Sequence, residues 1–252
     1  MSITTQWGPV SVLTIQRPEK RNCIDAETAT RLGAAITDFA ADDERHVLII
    51  TGAGGNFCSG ADLQGTAELG AADRGACGPL GFSALDPGKP TIAAIEGHCV
   101  AGGLELAAWC DIRIASTSAS FGAFNRRWGV PFIDGGTVRI PRIMGLGNAL
   151  HLLGTGLRFD SEQMQRMGFV QEVVPDGNAL ERAREIAGWM SALPQGSLRT
   201  DRQSIYQTVG VRIEEGLALE QRIGRASLAD PDLAAGLERF AAGQRPVPPA
   251  AR

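Results

Sequence analysis

Lys89-Pro-Thr-Ile-Ala-Ala-Ile-Glu-Gly-His-Cys-Val-Ala-Gly-Gly-Leu-Glu-Leu-Ala107 is the stretch whose pattern decides the fold. Thr91 to Ile95 is a short, β-branched apolar run, the signature of a strand buried on both faces. Gly97 follows it. Gly102-Gly103 then opens a helical stretch through Leu104, Ala107 and Ala108.

The same alternation extends in both directions. Val47 to Ile50 is another buried run, followed by Thr51-Gly52 and a Gly-rich loop, and Asp111 to Ala115 is a third. Val10 to Ile15 alternates apolar and polar residues and reads as a strand that Arg17-Pro18 ends. Asp25 caps a helix on which Ala29, Leu32, Ile36 and Phe39 recur at helical spacing. Strand, loop and helix alternate, which predicts a layered α/β fold.

Beyond about Gly145 the character changes. Leu180, Ala183, Ala187 and Met190 mark a helix with Asn178 as its expected cap. Leu233, Leu237 and Phe240 mark another, opened by Asp230-Pro231. No strand run as strong as the early ones follows Val174. Residues 1–195 are therefore expected to form the core and 196–252 a C-terminal helical region. Leu63 to Gly88, rich in Gly and Ala, reads as a mobile loop with one short helix, and Arg245 to Arg252 as a frayed tail.

The bulk composition narrows the function. A chain of 252 residues can bury about 75% of its unfolded surface and needs no covalent staples. With 24 Lys plus Arg against 28 Asp plus Glu, it lacks the basic excess of a general nucleic-acid binder. The five cysteines form no C-x-x-C pair and Met1 to Trp7 has no signal-peptide run, so a reduced, cytoplasmic protein is expected. No apolar stretch approaches the ~20 residues of a membrane helix.

Glycine is unusually abundant, at 32 residues. Its clusters mark places where backbone comes close to something. Two of them follow buried strands: Gly52-Ala-Gly-Gly-Asn-Phe-Cys-Ser-Gly-Ala-Asp-Leu63 and the segment from Glu96 to Ala107. The dinucleotide pattern G-x-G-x-x-G fails at Phe57. No Gly-Lys-Ser/Thr exists for a phosphate loop. The G-x-S-x-G elbow fails around Ser59, flanked at two residues by Phe57 and Ala61. His46, His98 and His151 are isolated, so no metal site is expected.

One physical possibility remains. The first N–H groups of a helix at Gly102-Gly103 lack internal partners, and no side chain would shield them from a ligand oxygen. A second donor from the other glycine loop would complete an oxyanion hole. The alternative is two tight turns with close helix–strand packing.

These segments together resemble the enoyl-CoA hydratase/isomerase, or crotonase, superfamily. Arg17-Pro-Glu-Lys-Arg-Asn22 is similar to its R-P-x-x-x-N segment, and Phe57-Cys-Ser-Gly-Ala-Asp-Leu63 to its F-x-x-G-A-D-L loop. Lys89 to Gly97 resembles K-P-x-I-A-A-x-x-G. Ala101 to Ala107, with Cys110-Asp111, resembles G-G-G-x-E-L-A and its C-D. Ile133-Asp-Gly-Gly-Thr137 and Arg139 to Gly145 are similar to the next helix. The resemblance runs from about residue 10 to 210.

The resemblance implies an α/β fold, the crotonase (ClpP-like) ββα spiral with a helical C-terminal trimerisation region. It implies a homotrimer or dimer of trimers acting on an acyl-CoA thioester, with no partner membrane or nucleic acid. No cofactor is implied, because coenzyme A is part of the substrate. The oxyanion donors map to the N–H groups of Ala61 and Gly102. CoA maps to Ser59, Gly60, Ala61, Asp62 and Leu63, with Arg17, Lys20 and Arg21 either facing its phosphates or belonging to a solvated turn.

The reaction depends on the acid–base groups. Hydratases of the family hold water between two glutamates. The first maps to Glu105, although a Glu in a first helical turn is also favoured by the helix dipole. The second maps to Asn125, which can hydrogen-bond water but cannot shuttle a proton. Asp134 corresponds to a proton-moving aspartate of some family isomerases, or else caps the helix beginning near Gly135. Arg126 and Arg127 are either surface charges or partners of a cleft carboxylate. Cys58, Cys99 and His98 read as packing and loop residues. Three functions stay open: a hydratase using Glu105, an enoyl-CoA or dienoyl-CoA isomerase using Glu105 and Asp134, and a non-catalytic acyl-CoA-binding relative. Hydratase is preferred, because Glu105 holds the place of a hydratase glutamate.

Overall fold

The computed structural model describes residues 2–65 and 77–248. Part of the expected Leu63–Gly88 loop, residues 66–76, lies outside them.

In chain order the elements are β1 (Ile3–Gln6), β2 (Val10–Ile15), α1 (Ala26–Ala41), β3 (Val47–Gly52), β4 (Thr91–Ile95) and β5 (His98–Val100). Then come α2 (Gly102–Trp109), β6 (Ile112–Ser116), β7 (Ser120–Gly122), α3 (Gly136–Met144), α4 (Leu146–Thr155), β8 (Phe159–Asp160), α5 (Ser161–Arg166) and β9 (Glu172–Val174). Four helices follow: α6 (Ala179–Ala192), α7 (Gln195–Thr208), α8 (Ile213–Ser227) and α9 (Pro231–Ala241).

Two sheets form. The larger has the order β1-β2-β3-β4-β6-β9 and the smaller β5-β7-β8. Apart from the edge pairs β1–β2 and β7–β8, neighbouring strands are parallel. A parallel sheet is covered on both faces, and the strand residues divide accordingly. Leu48, Ile50, Ala93 and Ile95 face α1, α2 and the small sheet. Val47, Ile49, Ile92 and Ala94 face Ala179, Ala183 and Ala187 of α6. That division explains why these runs are continuously apolar rather than alternating.

Capping follows the sequence in two places and departs from it in a third. Asp25 accepts the Thr28 N–H and starts α1, and Asp230 accepts the Asp232 N–H and starts α9. Asn178 precedes α6, but its side chain makes no cap bond. The carboxylate of Glu96 does so instead, accepting the N–H groups of Gly177 and Ala179 at 3.2 and 3.1 Å. A charged acceptor from a distant loop displaces the local amide.

Helices α7, α8 and α9 bury no residue completely. Ile205, Ile213, Leu217, Leu228, Leu237 and Phe240 lie exposed along them. Among the described residues no helix is long and apolar enough to cross a membrane.

Candidate active site

The loop after β3 is locked before it reaches the site. The buried Asn22 amide donates to the carbonyls of Ala53 and Asn56 at 2.8 and 2.6 Å, and its Oδ1 accepts the Arg17 N–H. Segments 20–24 and 59–62 then run as a short ladder. Ser59 N–H donates to Arg21 O, Ile24 N–H to Gly60 O, and Asp62 N–H to Ile24 O, at 2.8–3.0 Å. Lys20, Arg21, Ser59, Gly60, Ala61, Asp62 and Leu63 are thereby gathered on one rim.

Asp62 organises this rim. Its Oδ2 lies 3.0 Å from both Arg17 Nη2 and Lys20 Nζ. Burial alone would raise its pKa, but the bonds from Lys20 and Arg17 outweigh burial and hold it at about 2. Arg17 is enclosed between Asp62 and Asp25. Lys20 keeps much of its side chain in solvent, and Arg21 is exposed.

The ladder presses onto the start of α2. A Cβ on Gly103 would stand 2.1 Å from Cys58 O, and one on Gly60 would stand 2.6 Å from Gly102 N. Gly60 also has φ +90, where a side chain is strained. This close approach sets Ala61 N about where a Gly102 Cβ would point, 3.5 Å from it. Ala101, just before the helix, has φ 52, a conformation that costs a non-glycine residue about 1–3 kcal/mol. Neither the Ala61 nor the Gly102 N–H donates to a protein acceptor among the described residues. The α2 dipole adds positive potential at Gly102.

Both residues line a cavity of about 190 Å³. Glu105, Asn125 and Asp134 line it too, so all five sequence-predicted central residues meet there. The remaining wall is mostly apolar, with Leu63, Leu80, Phe124, Val130 and Ile133.

Glu105 is 3% exposed. Its Oε1 accepts the N–H groups of Asp134 and Gly136, each at 2.9 Å. Glu105 therefore satisfies the first turn of α3 from across the cavity. Burial pushes its pKa up from 4.5 to about 7, aided by the charge of Asp134, while the two N–H bonds and Arg139 pull down. A carboxyl group that titrates near neutrality is suited to accept and return a proton.

Asp134 is 1% exposed and does not cap α3. Gly135, at φ 93, begins that helix without a side-chain bond. The Asp134 Oδ1 instead accepts the Leu80 N–H at 2.9 Å. Asn125 is 6% exposed, and its Nδ2 donates to Val130 O at 2.8 Å.

Arg126 and Arg127 donate to the carbonyls of Leu153 and Gly156 rather than to a cleft carboxylate. The cation that does act on Glu105 is Arg139, whose Nη1 donates to Asp134 O and Nη2 to Ser83 O. Sequence reading missed Arg139 and Leu80, because their partners lie on segments that only the fold brings near. Cys58 and Cys99 are fully buried, and burial pushes the Cys58 thiol up to about 12. His98 bonds to Asn56 Oδ1 through Nδ1 at 2.8 Å.

Fold and cavity define an α/β protein that buries a carboxyl group beside two N–H groups, one at the start of α2 and one on the loop after β3, that have no protein acceptor among the described residues. Residues 6–247 match the family model for enoyl-CoA hydratase/isomerase, so the chain belongs to that family, the crotonase superfamily. It is 36% identical over 201 residues to mevalonyl-coenzyme A hydratase of Aspergillus fumigatus, covering 78% of this chain and 74% of that protein. It is 33% identical over 252 residues to an enoyl-CoA hydratase of Mycobacterium tuberculosis, covering 97% and 95%. The crystal structure of an enoyl-CoA hydratase from Mycobacterium marinum matches with a TM-score of 0.90 at 30% identity, covering 98% of each chain. The expected crotonase fold with C-terminal helices is thus found.

Proposed function

We propose that the protein adds water to 2-enoyl-CoA thioesters, and removes it from 3-hydroxyacyl-CoA, with Glu105 carrying the proton in both directions. The observation that carries this reading is the placement of Glu105. It is buried, titrates near 7, and shares one cavity with the N–H groups of Ala61 and Gly102. The hydratase names of the relatives support the same direction.

In this mechanism the thioester oxygen accepts hydrogen bonds from Ala61 and Gly102. Ionised Glu105 takes one proton from a water as its oxygen bonds to Cβ. The Cα=Cβ electron pair moves towards the carbonyl, and the resulting enolate charge rests on the thioester oxygen. Glu105 then returns that proton to Cα. The net change is addition of one water, and the carboxylate is regenerated. Removal of one oxyanion donor typically costs 100- to 1,000-fold, so the two N–H groups are central to the rate. Coenzyme A lies along the rim from Ser59 to Leu63, with Lys20 and Arg21 towards its phosphates.

Asp134 supports a second reading, because its buried carboxyl group lines the same cavity. In an isomerase Glu105 would take a proton from one carbon of the acyl chain and Asp134 would supply one to another. The test mixes purified protein with crotonyl-CoA and with longer enoyl-CoAs and follows the conjugated-thioester absorbance. Hydration gives loss of absorbance with a 3-hydroxyacyl product. A product that retains its double bond at a new position supports the isomerase, and no turnover of any enoyl-CoA contradicts both.

A further inference from the structure

Arg139 stands behind the cavity rather than in it. It is absent from the wall shared by Ala61, Gly102, Glu105 and Asp134, and lines a separate groove with Ser83, Gly135 and Tyr206. Its half-buried guanidinium is held at both ends. Nη1 donates to Asp134 O at 3.2 Å and Nη2 to Ser83 O at 2.6 Å. A Cβ on Gly135 would stand 2.0 Å from Nη1, so only glycine lets the guanidinium lie against that turn.

The first arm of the fork reaches the turn that binds Glu105. The Asp134 carbonyl belongs to the peptide between the two whose N–H groups, those of Asp134 and Gly136, donate to Glu105 Oε1 at 2.9 Å. Peptide units are planar, so fixing the middle one restricts the outer two. The second arm reaches the opposite wall. Ser83 lies three residues after Leu80, whose N–H donates to Asp134 Oδ1 and whose Cδ1 would stand 2.5 Å from a Cβ on Gly102. One guanidinium therefore joins the turn that holds Glu105 to the segment that packs on an oxyanion donor.

The electrostatics run the same way. The two N–H bonds and the charge of Arg139 pull the Glu105 pKa down, against burial and the charge of Asp134. Asp86 and Tyr206 act on the guanidinium in turn. An arginine that only filled space would change stability and leave the titration of Glu105 where it is.

We infer that Arg139 is a positioning residue for the proton transfer: from behind the cavity its fork clamps the Asp134–Gly136 turn to Ser83 and keeps the two N–H groups of that turn on Glu105. The inference rests on the reading of Glu105 as proton carrier.

The pH profile of kcat/KM tests it, with an enoyl-CoA that the wild type turns over. Arg139→Met keeps the stem and removes fork and charge. Its acidic limb should lie about one pH unit or more above that of the wild type. At high pH, where Glu105 is ionised in both proteins, its kcat/KM should return to within a few-fold of wild type. Its affinity for butyryl-CoA, by titration calorimetry, should stay within a few-fold. Arg139→Lys keeps the charge, but an ammonium group has no planar fork to span two carbonyls, so its limb should fall between the other two. A limb unmoved in Arg139→Met, or a loss equal at every pH, overturns the inference and leaves the Glu105 reading intact. If that variant does not fold, Arg139→Lys carries the test, and a limb at the wild-type position overturns the clamp. A wild type with no acidic limb near 7 overturns the Glu105 reading and the inference together.

Discussion

Glu105 Oε1 accepts the backbone N–H of Asp134 at 2.9 Å, so the residue whose charge raises the Glu105 pKa also supplies a bond that lowers it. The two acidic residues are tied into one wall. Burial decides the balance and leaves Glu105 near neutrality.

That balance has a pH signature. Base catalysis by Glu105 needs the ionised form, so kcat/KM for hydration should fall tenfold per pH unit below about 7. Stability moves the other way. Between 4.5 and about 7 the folded state holds a proton that the unfolded state has released, so stability is lost as pH rises through this window. The total is about 3 kcal/mol. Glu105→Gln removes the titration. Its melting temperature should exceed that of the wild type at pH 8 and match it near pH 4. A lower value at pH 8 would contradict the assigned desolvation.

Asp134→Asn separates the two reactions. Asparagine keeps an oxygen for the Leu80 N–H, so the fold should hold. Under hydration the rate should stay within a few-fold of wild type, because no proton passes through Asp134. The acidic limb of the pH profile should move down, since a negative neighbour of Glu105 is gone. A loss of 100-fold or more would favour the two-carboxylate isomerase.

The oxyanion donors are tested by pairing substitutions. A Cβ at Gly102 would meet Leu80 Cδ1 at 2.5 Å, so both test proteins carry Leu80→Ala. Gly102→Ala keeps the N–H, and Gly102→Pro deletes it at a helix start where proline is tolerated. The proline protein should turn over enoyl-CoA about 100- to 1,000-fold more slowly than the alanine protein. Equal rates in two folded proteins would remove Gly102 from the mechanism.

Assembly is a further expectation. The exposed apolar residues of α7–α9 should be covered by other copies of the chain in a homotrimer or dimer of trimers. Light scattering at micromolar concentration should give a trimer or hexamer mass, and a clean monomer would contradict this.

Much of the fold was legible because its central strands are buried on both faces. Val47–Ile50 and Ile92–Ile95 are apolar at every position, and the sequence shows them as unbroken runs. The short strands β5, β7 and β8 escaped, because two or three residues carry no period and their pairing is set by partners far along the chain. Asn178 failed as a cap for a similar reason, since Glu96 reaches α6 from more than 80 positions away. That Ala61, Gly102, Glu105, Asn125 and Asp134 share one cavity was anticipated from the family resemblance. The Leu80–Asp134 bond and the reach of Arg139 were not, because each depends on loops that meet only after folding.

The most direct measurement is single-turnover hydration of crotonyl-CoA by wild type and by Glu105→Gln, with enzyme in excess. Glutamine keeps an oxygen for the Asp134 and Gly136 N–H groups and cannot take a proton from water. The mutant should bind the thioester with near-normal affinity and hydrate it about 100- to 10,000-fold more slowly. Hydration at the wild-type rate by a folded Glu105→Gln protein would contradict the assignment of Glu105 as the proton carrier.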